Sequence, residues 1–147
     1  MASISIFVGS MYGNAESLSV EVQKALVDKG HNAQVHENAM VSDINAAENI
    51  LFISSTTGTG DIPDNLQPLI MQMQSQFPML TGKKVGVIAL GDSSYGDTYC
   101  GAGKQIDELI QELNAQTPLP RLEIDAGEHF EPWEPTQSWL NRWSAAL

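Results

Sequence analysis

Short runs of β-branched and aromatic residues alternate along this chain with stretches whose apolar residues recur at helical spacing. Residues 4–8 (Ile4, Ile6, Phe7, Val8) form the first run, which ends at Gly9. Over 15–29, Leu18, Val22, Ala25 and Leu26 mark one helical face, and Gly30 stands where glycine commonly follows a helix end. Residues 32–37 read as a short strand. The stretch 39–49 is ambiguous, with one helical turn near Asp43. Residues 50–54 are a strongly apolar strand. After a polar loop over 56–65, Leu66, Leu69, Ile70, Met73 and Phe77 are expected inward on a helix that tolerates Pro68 in its first turn. Residues 84–90 make the next buried strand. Ile106, Leu109, Ile110 and Leu113 mark another helix, and 119–125 alternates as a fifth strand. From about Pro135, Trp139, Leu140, Trp143 and Leu147 mark the last helix. Five strands alternating with helices predict an α/β fold, a doubly wound parallel sheet with helices on both faces. Right-handed crossovers leave few topologies. In such sheets ligands bind beyond the carboxyl ends of strands, where strand order reverses. The chemistry is therefore expected after strands one, three and four, where the polar, glycine-rich loops lie.

The 147 residues suit one domain spanning 1–147 with a substantial core. Eighteen acidic residues against seven basic ones give a net charge of −11. A surface this acidic repels phosphate backbones, which excludes nucleic-acid binding through a basic face and suits basic partners. Hydrophobic residues make up 42% of the chain, too many for a disordered acidic tail. No long uncharged apolar run predicts a membrane span. The first residues carry no basic start and run into a strand pattern, so no signal peptide is expected. Cys100 is the one cysteine, so no internal disulfide is possible, and a cytoplasmic location is expected. His31, His36 and His129 stand in unrelated contexts and read as surface or strand residues rather than metal ligands. Met71 and Met73 read as helix packing, and Cys100 as a small buried wall rather than a nucleophile.

The first loop runs Gly9-Ser10-Met11-Tyr12-Gly13-Asn14-Ala15-Glu16 into a helix N-terminus. Free backbone N–H groups and the helix dipole suit such a turn to a phosphate, here held by neutral donors alone. An ordinary βα turn with capping residues fits the same residues equally well. A P-loop is excluded, because Asn14 and Ala15 stand where lysine and Ser/Thr are needed. The G-x-G-x-x-G dinucleotide pattern is absent, since Met11 lies two after Gly9. A phosphoacceptor receiver domain shares the topology but is excluded, because its acidic cluster at the end of strand one and its lysine after strand five are missing here. The third loop holds Tyr95 and Tyr99, and an aromatic stacked on a flat heterocycle gains roughly 0.5–1.5 kcal/mol beyond its burial. Two tyrosines opposite a phosphate-ready turn point to a planar phosphorylated ligand.

These residues carry a family resemblance over the whole chain. The first loop is similar to the S/T-x-T-G-x-[TA]-E phosphate turn of flavodoxins. Ser54-Ser55-Thr56-Thr57-Gly58-Thr59-Gly60-Asp61 resembles the S-T-x-G-x-G-D form shared with diflavin reductases. Gly91-Asp92-Ser93-Ser94-Tyr95, continuing to Tyr99-Cys100-Gly101-Ala102, resembles the G-D-S-S-Y…F-C-G-A block. The chain is identified as similar to short-chain flavodoxins, most of all the MioC-like type, and no long insertion splits its fifth strand.

The resemblance implies a flavodoxin-like sheet of order 2-1-3-4-5 and FMN as cofactor. Ser10, Met11, Tyr12, Gly13, Asn14 and Ala15 are implied to wrap the FMN phosphate. Ser55, Thr56, Thr57, Gly58 and Thr59 are implied to line one side of the isoalloxazine, with the Gly58–Thr59 peptide turning its carbonyl toward flavin N5. Tyr95 is implied to stack on the other face. Gly91 and Asp92 meet the pyrimidine edge, which Tyr99 and Cys100 close, and Asp97 lies beside it. Tyr12 replaces the usual threonine, and Thr57 replaces an aromatic, which weakens flavin retention. The implied function is an FMN electron carrier rather than an enzyme, monomeric and cytoplasmic. It would shuttle electrons from a basic flavodoxin reductase to basic acceptor proteins. An FMN-dependent NAD(P)H:quinone or azo reductase shares the fold but needs a substrate space that these short loops do not suggest. A serine esterase built on Gly91-Asp92-Ser93 and His129 is the remote alternative; its motif order is wrong.

Overall fold

The computed structural model describes residues 2–10, 13–56, 60–92, 99–126 and 131–147. Its strands are β1 (Ser3–Gly9), β2 (Asn32–His36), β3 (Asn49–Ser54), β4 (Lys84–Gly91) and β5 (Leu122–Asp125). The helices are α1 (Asn14–Asp28), α2 (Val41–Ala46), α3 (Gln67–Gln76), α4 (Gly101–Glu112) and α5 (Trp133–Ala145). The strands form one parallel sheet of order β2-β1-β3-β4-β5, as the resemblance implied. Gly9 pairs with Ser54, and Ser54 with Ala89, so the carboxyl ends of β1, β3 and β4 lie side by side. Chain direction reverses its march across the sheet between β1 and β3, which puts the loops after those strands at the switch point.

Burial on both faces explains the near-continuous apolar strands. Ile4, Ile6 and Val8 of β1, with Leu51, Ile53, Ile88 and Leu90, pack against α1 and α5. Phe7, Ile50, Phe52, Val85 and Val87 pack on the opposite side against α2, α3 and α4. Gly86 makes room for the parallel rings of Trp139 and Trp143, whose centroids are 6.1 Å apart. A Cβ at Gly86 would stand 2.6 Å from the Trp139 ring. Gly103 brings α4 down onto β4 in the same way, because a Cβ there would lie 2.2 Å from Ala89 Cβ.

Four expectations need adjustment. Phe77 is not inward: it caps the C-terminus of α3 in the left-handed region, φ 49°, and is 59% exposed. The helix stops before the spacing completes another turn, and the left-handed residue turns the side chain out. Met73 is buried as expected, but Met71 on the opposite side of the helix is exposed. The fifth strand begins at Leu122 rather than 119. Pro120 has no N–H for a ladder bond, and its carbonyl accepts the Trp139 indole N–H at 3.0 Å. The ambiguous stretch resolves as α2, with Asp43 Oδ2 accepting the Met40 N–H at 2.9 Å. His36 stacks on Phe7, and His31 Nδ1 accepts the Ala2 N–H; His129 lies outside the described residues.

Candidate functional site

The carboxyl edge of the sheet gathers the loops that follow β1, β3 and β4. Gly13 precedes α1 with φ 89°, a backbone region that glycine enters without a Cβ clash. The N-terminus of α1 has no side-chain cap. Ser10 Oγ accepts the Gly13 N–H at 2.9 Å. A hydroxyl used as an acceptor keeps its own proton to donate, and no described residue takes that proton. Asn14 is exposed, and Ala15 is buried against the core. The first turn of α1 carries Glu16 and no basic residue, so only neutral donors face this edge from the described part of the loop.

The loop after β3 is tied to the sheet at its start and to α4 at its end. The Ser55 N–H donates to the Gly9 carbonyl at 2.9 Å, which carries the β1–β3 ladder one step further. Ser54 is fully buried and turns its hydroxyl onto the Ser55 carbonyl. Gly60 has φ 91°, and its carbonyl accepts Gln105 Nε2 at 2.7 Å. A Cβ at Gly101 would lie 2.8 Å from the Gly60 carbonyl oxygen, so glycine at 101 is what allows α4 to dock on this loop. Past the loop, Ile62 and Leu66 are buried and anchor the turn that leads into α3.

The third loop ends in a left-handed residue that is not glycine. Cys100 has φ 52° and stands as N-cap of α4 with no side-chain cap. It is fully buried, with Sγ 3.7 Å from the Ala89 carbonyl. A Cβ at Gly91 would meet Cys100 N at 2.8 Å and Sγ at 2.9 Å, so the end of β4 and the start of α4 are in contact. Burial pushes the Cys100 thiol up to about 11, and the Tyr99 hydroxyl that donates toward the sulfur opposes part of that rise. Tyr99 is pushed upward from the ordinary phenol range, first by burial, then by Cys100 and the carboxylates of Asp125 and Glu123. Both groups are therefore neutral at physiological pH, and Cys100 is a wall, not a nucleophile. Lys104 Nζ lies 6.0 Å from the Tyr99 ring centroid.

The structure brings Ser10, Gly13, Asn14, Ala15, Ser55, Thr56, Gly91, Asp92, Tyr99 and Cys100 to one edge. Met11, Tyr12, Thr57, Gly58, Thr59, Tyr95 and Asp97 lie outside the described residues, as does Ser93. Sequence reading missed Asn65, which lay within a loop defined by composition alone. Its side chain reaches 55 positions back to the first loop, and no local pattern signals that reach. Among the described residues no group of three or more His, Cys, Asp or Glu could hold a metal ion, and no helix is long and apolar enough to cross a membrane.

A phosphate-bearing flavin fits what the described residues present: a helix N-terminus with no side-chain cap, a serine whose proton none of them accepts, and neutral donors in the first loop. Comparison with known proteins agrees. The flavodoxin family model matches residues 6–139. Flavodoxin YqcA of Escherichia coli strain K12 is 41% identical, covering 100% of this chain and 99% of its own. Protein MioC of the same strain is 34% identical, covering 97% of each chain. A solved structure of a cysteine-to-serine mutant of flavodoxin from Pseudomonas aeruginosa superposes with a TM-score of 0.92 at 42% identity, covering 99% of this chain and 98% of that one. A full-length match in sequence, together with a superposition at a TM-score of 0.92, means that the chain belongs to the flavodoxin family of FMN-binding electron carriers.

Proposed function

We propose that residues 1–147 act as one FMN domain that passes electrons between partner proteins and turns over no substrate of its own. Bound FMN supplies the redox chemistry, while the protein supplies binding, orientation and electrostatics. The observation that carries the site assignment is the start of α1, uncapped among the described residues, beside a Ser10 hydroxyl whose proton no described residue accepts. Ser10, Met11, Tyr12, Gly13, Asn14 and Ala15 wrap the phosphate. Its donors are the Ser10 hydroxyl and the loop N–H groups other than those of Ser10 and Gly13, which are already bonded to Asn65 and Ser10 Oγ. Ser55, Thr56, Thr57, Gly58 and Thr59 line one side of the ring, and Tyr95 covers the other. Gly91 and Asp92, with Asp97, Tyr99 and Cys100, border the pyrimidine edge. The neutral Cys100 thiol and Tyr99 phenol add no charge there, so the ring meets shape and hydrogen bonds.

The excess of acid over base supports basic redox partners, a reductase and its acceptors, docking by charge. Asp61 and Asp64 are exposed beside the second loop, where such a partner would meet them. The alpha-component of the NADPH sulfite reductase flavoprotein of Vibrio cholerae is 33% identical over 83% of this chain, which spans 20% of that protein. That arrangement supports a reductase partner in trans for the shorter chain. A single buried thiol suits a reducing compartment, the cytoplasm, and the reading is of a monomer.

Titration of the apoprotein with FMN and with riboflavin tests the site. FMN is expected to bind more tightly by at least about tenfold, the scale of charge-assisted hydrogen bonds to a phosphate. Equal affinities would remove the phosphate from the first loop. Reduction by a flavodoxin reductase across an ionic-strength series tests the partner: the rate should fall as salt rises past about 0.15 M, where the screening length is roughly 8 Å. NADH oxidation by the protein alone would overturn the carrier reading.

A further inference from the structure

The side chain of Asn65 joins two loops that are far apart in sequence. Its Nδ2 donates to the Val8 carbonyl at 3.0 Å, and its Oδ1 accepts the Ser10 N–H at 2.9 Å. Val8 and Ser10 flank Gly9, the last residue of β1. The carboxamide therefore takes over at the point where the strand ends, satisfying the two backbone groups on either side of Gly9 that point toward it. The approach is close. A Cβ at Gly9 would stand 2.9 Å from Leu66 Cδ2, 3.1 Å from Leu66 Cβ and 2.8 Å from Ser54 Oγ. Glycine at 9 is thus what lets the turn holding Asn65 and Leu66 lie against the end of β1. That turn is itself fixed: Leu66 is 2% exposed, and the Leu66 and Gln67 N–H groups both donate to the Pro63 carbonyl at 3.0 Å.

From Ser10 the chain of contacts continues. Ser10 Oγ accepts the Gly13 N–H at 2.9 Å, and the Gly13 carbonyl accepts the Ser17 N–H at 2.9 Å inside α1. Three successive hydrogen bonds therefore run from the turn before α3, through the first loop, to the start of α1. Each removes freedom from a loop that has no basic residue to hold an anion by charge alone, so its donors must be aimed in advance.

We infer that Asn65 is a positioning residue for phosphate recognition: its carboxamide fixes Ser10 and, through Ser10, the donors at the start of α1. The inference rests on the reading of the first loop as the phosphate site. Asn65 need not touch FMN; it acts through Ser10. Its loss should therefore lower the preference for FMN over riboflavin more than it lowers affinity for the ring, which the loops after β3 and β4 border.

The test is the ratio of riboflavin to FMN dissociation constants for the wild-type protein, Asn65→Ala, Ser10→Ala and the double variant. Asn65→Ala should weaken FMN binding roughly tenfold, in line with two lost hydrogen bonds, and riboflavin binding by less than about threefold. In the Ser10→Ala background the same change should move the ratio much less, because the group through which it acts is gone. Gln105→Ala is the control: it removes the 2.7 Å bond to Gly60, on the far side of the second loop, and should leave the ratio as in the wild type. Equal weakening of both flavins in Asn65→Ala, additive effects in the double variant, or an equal fall of the ratio in Gln105→Ala would each overturn the positioning role. A wild-type protein with no preference for FMN would overturn the phosphate site itself, and the inference with it. One measurement does not depend on how the variants fold. In the wild-type apoprotein the Ser10 amide should exchange with solvent as slowly as the Ser55 amide, which is bound to Gly9; exchange at the rate of a free loop would show that no clamp exists before the flavin arrives.

Discussion

At the amino edge of the sheet, two of the helices have lysines at their ends. Lys83 sends its ammonium to the carbonyls of Asn45, in the last turn of α2, and Ala47, just past its end, and Lys84 sends its own to Ala146, past the end of α5. At the carboxyl edge, α1 and α4 begin at left-handed residues, Gly13 and Cys100, neither of which caps its helix with its own side chain. In α4 Thr56 Oγ1 accepts the Ala102 N–H at 3.4 Å, whereas no described side chain accepts from the first turn of α1. The physical problem is the same at both ends, since a helix leaves unpaired backbone groups at each terminus. At the ends of α2 and α5 the amino edge answers it from within the chain. The carboxyl edge leaves the start of α1 without a described side-chain cap, beside loops that are tied down by Asn65, Gln105 and the contact of Gly91 with Cys100. An edge held firmly yet unsatisfied is one organised around a ligand.

The contrast can be tested by asking whether changes at the two regions have separable effects. The largest effect is expected from Gly86→Ala in the amino half of β4. The new methyl would lie 2.6 Å from the Trp139 ring and 2.8 Å from Trp143 Nε1. Overpacking there should cost about 3 kcal/mol of stability, read as a lower urea midpoint, with FMN affinity of the folded protein unchanged. An equal shift in FMN affinity would break the separation between the two regions.

Tyr95→Ala should show the opposite signature. Losing a stacked aromatic should weaken FMN binding by about 1–3 kcal/mol while the apoprotein midpoint stays near wild type. Thr57→Trp should tighten binding in the same titration. Unchanged affinity in both variants would mean that the ring lies elsewhere.

Cys100 gives the contrast a pH signature. Its folded value of about 11 lies above the ordinary 9.0, so the folded state holds its proton more strongly than the unfolded state does. That contribution to stability is fully present below pH 9 and is lost as pH rises through about 11. Urea midpoints of the apoprotein should fall over this window, and Cys100→Ser, which does not titrate there, should flatten the fall. An identical alkaline slope in both proteins would assign the loss to other groups.

Lys83→Ala tests the amino edge alone. Removing the ammonium from the end of α2 should cost about 0.3–1 kcal/mol and leave FMN binding untouched. The smallest effect is expected at Glu37, whose carboxyl is raised by the neighbouring Glu16. Glu37→Gln relieves that repulsion and should raise the midpoint slightly at low salt, with the gain fading as salt is added. A gain that persists at high salt would need a cause other than charge.

Much of this was readable in the chain. Apolar runs marked β1, β3 and β4, because the centre of a parallel sheet buried on both faces demands continuous hydrophobic segments, while the edge strands β2 and β5 showed only a short strand pattern and an alternation. The capping glycine Gly30 and the first-turn Pro68 marked helix boundaries through backbone geometry alone. The errors came where a local pattern outlasted the element carrying it. Phe77 continued the helical spacing of Leu66, Leu69, Ile70 and Met73, yet α3 had already ended, and the left-handed backbone at that residue turned its ring to solvent. Leu119 continued the alternation of the fifth strand, but Pro120 could not join the ladder.

The sequence by itself determined the layered fold and the three loops, since both follow from short-range periodicity and from the backbone preferences of glycine and proline. It also carried the family, through three motifs in order at strand ends. What only the tertiary structure decided is how those loops are held. Asn65 reaches Ser10 because β1 and the turn before α3 meet at Gly9, and Gly101 receives Gly60 because α4 packs onto the second loop. The burial that keeps the Cys100 thiol protonated likewise comes from β4 closing over the start of α4. These contacts join residues from nine to 55 positions apart, and their energies depend on distances of a few ångströms that no spacing along a chain specifies.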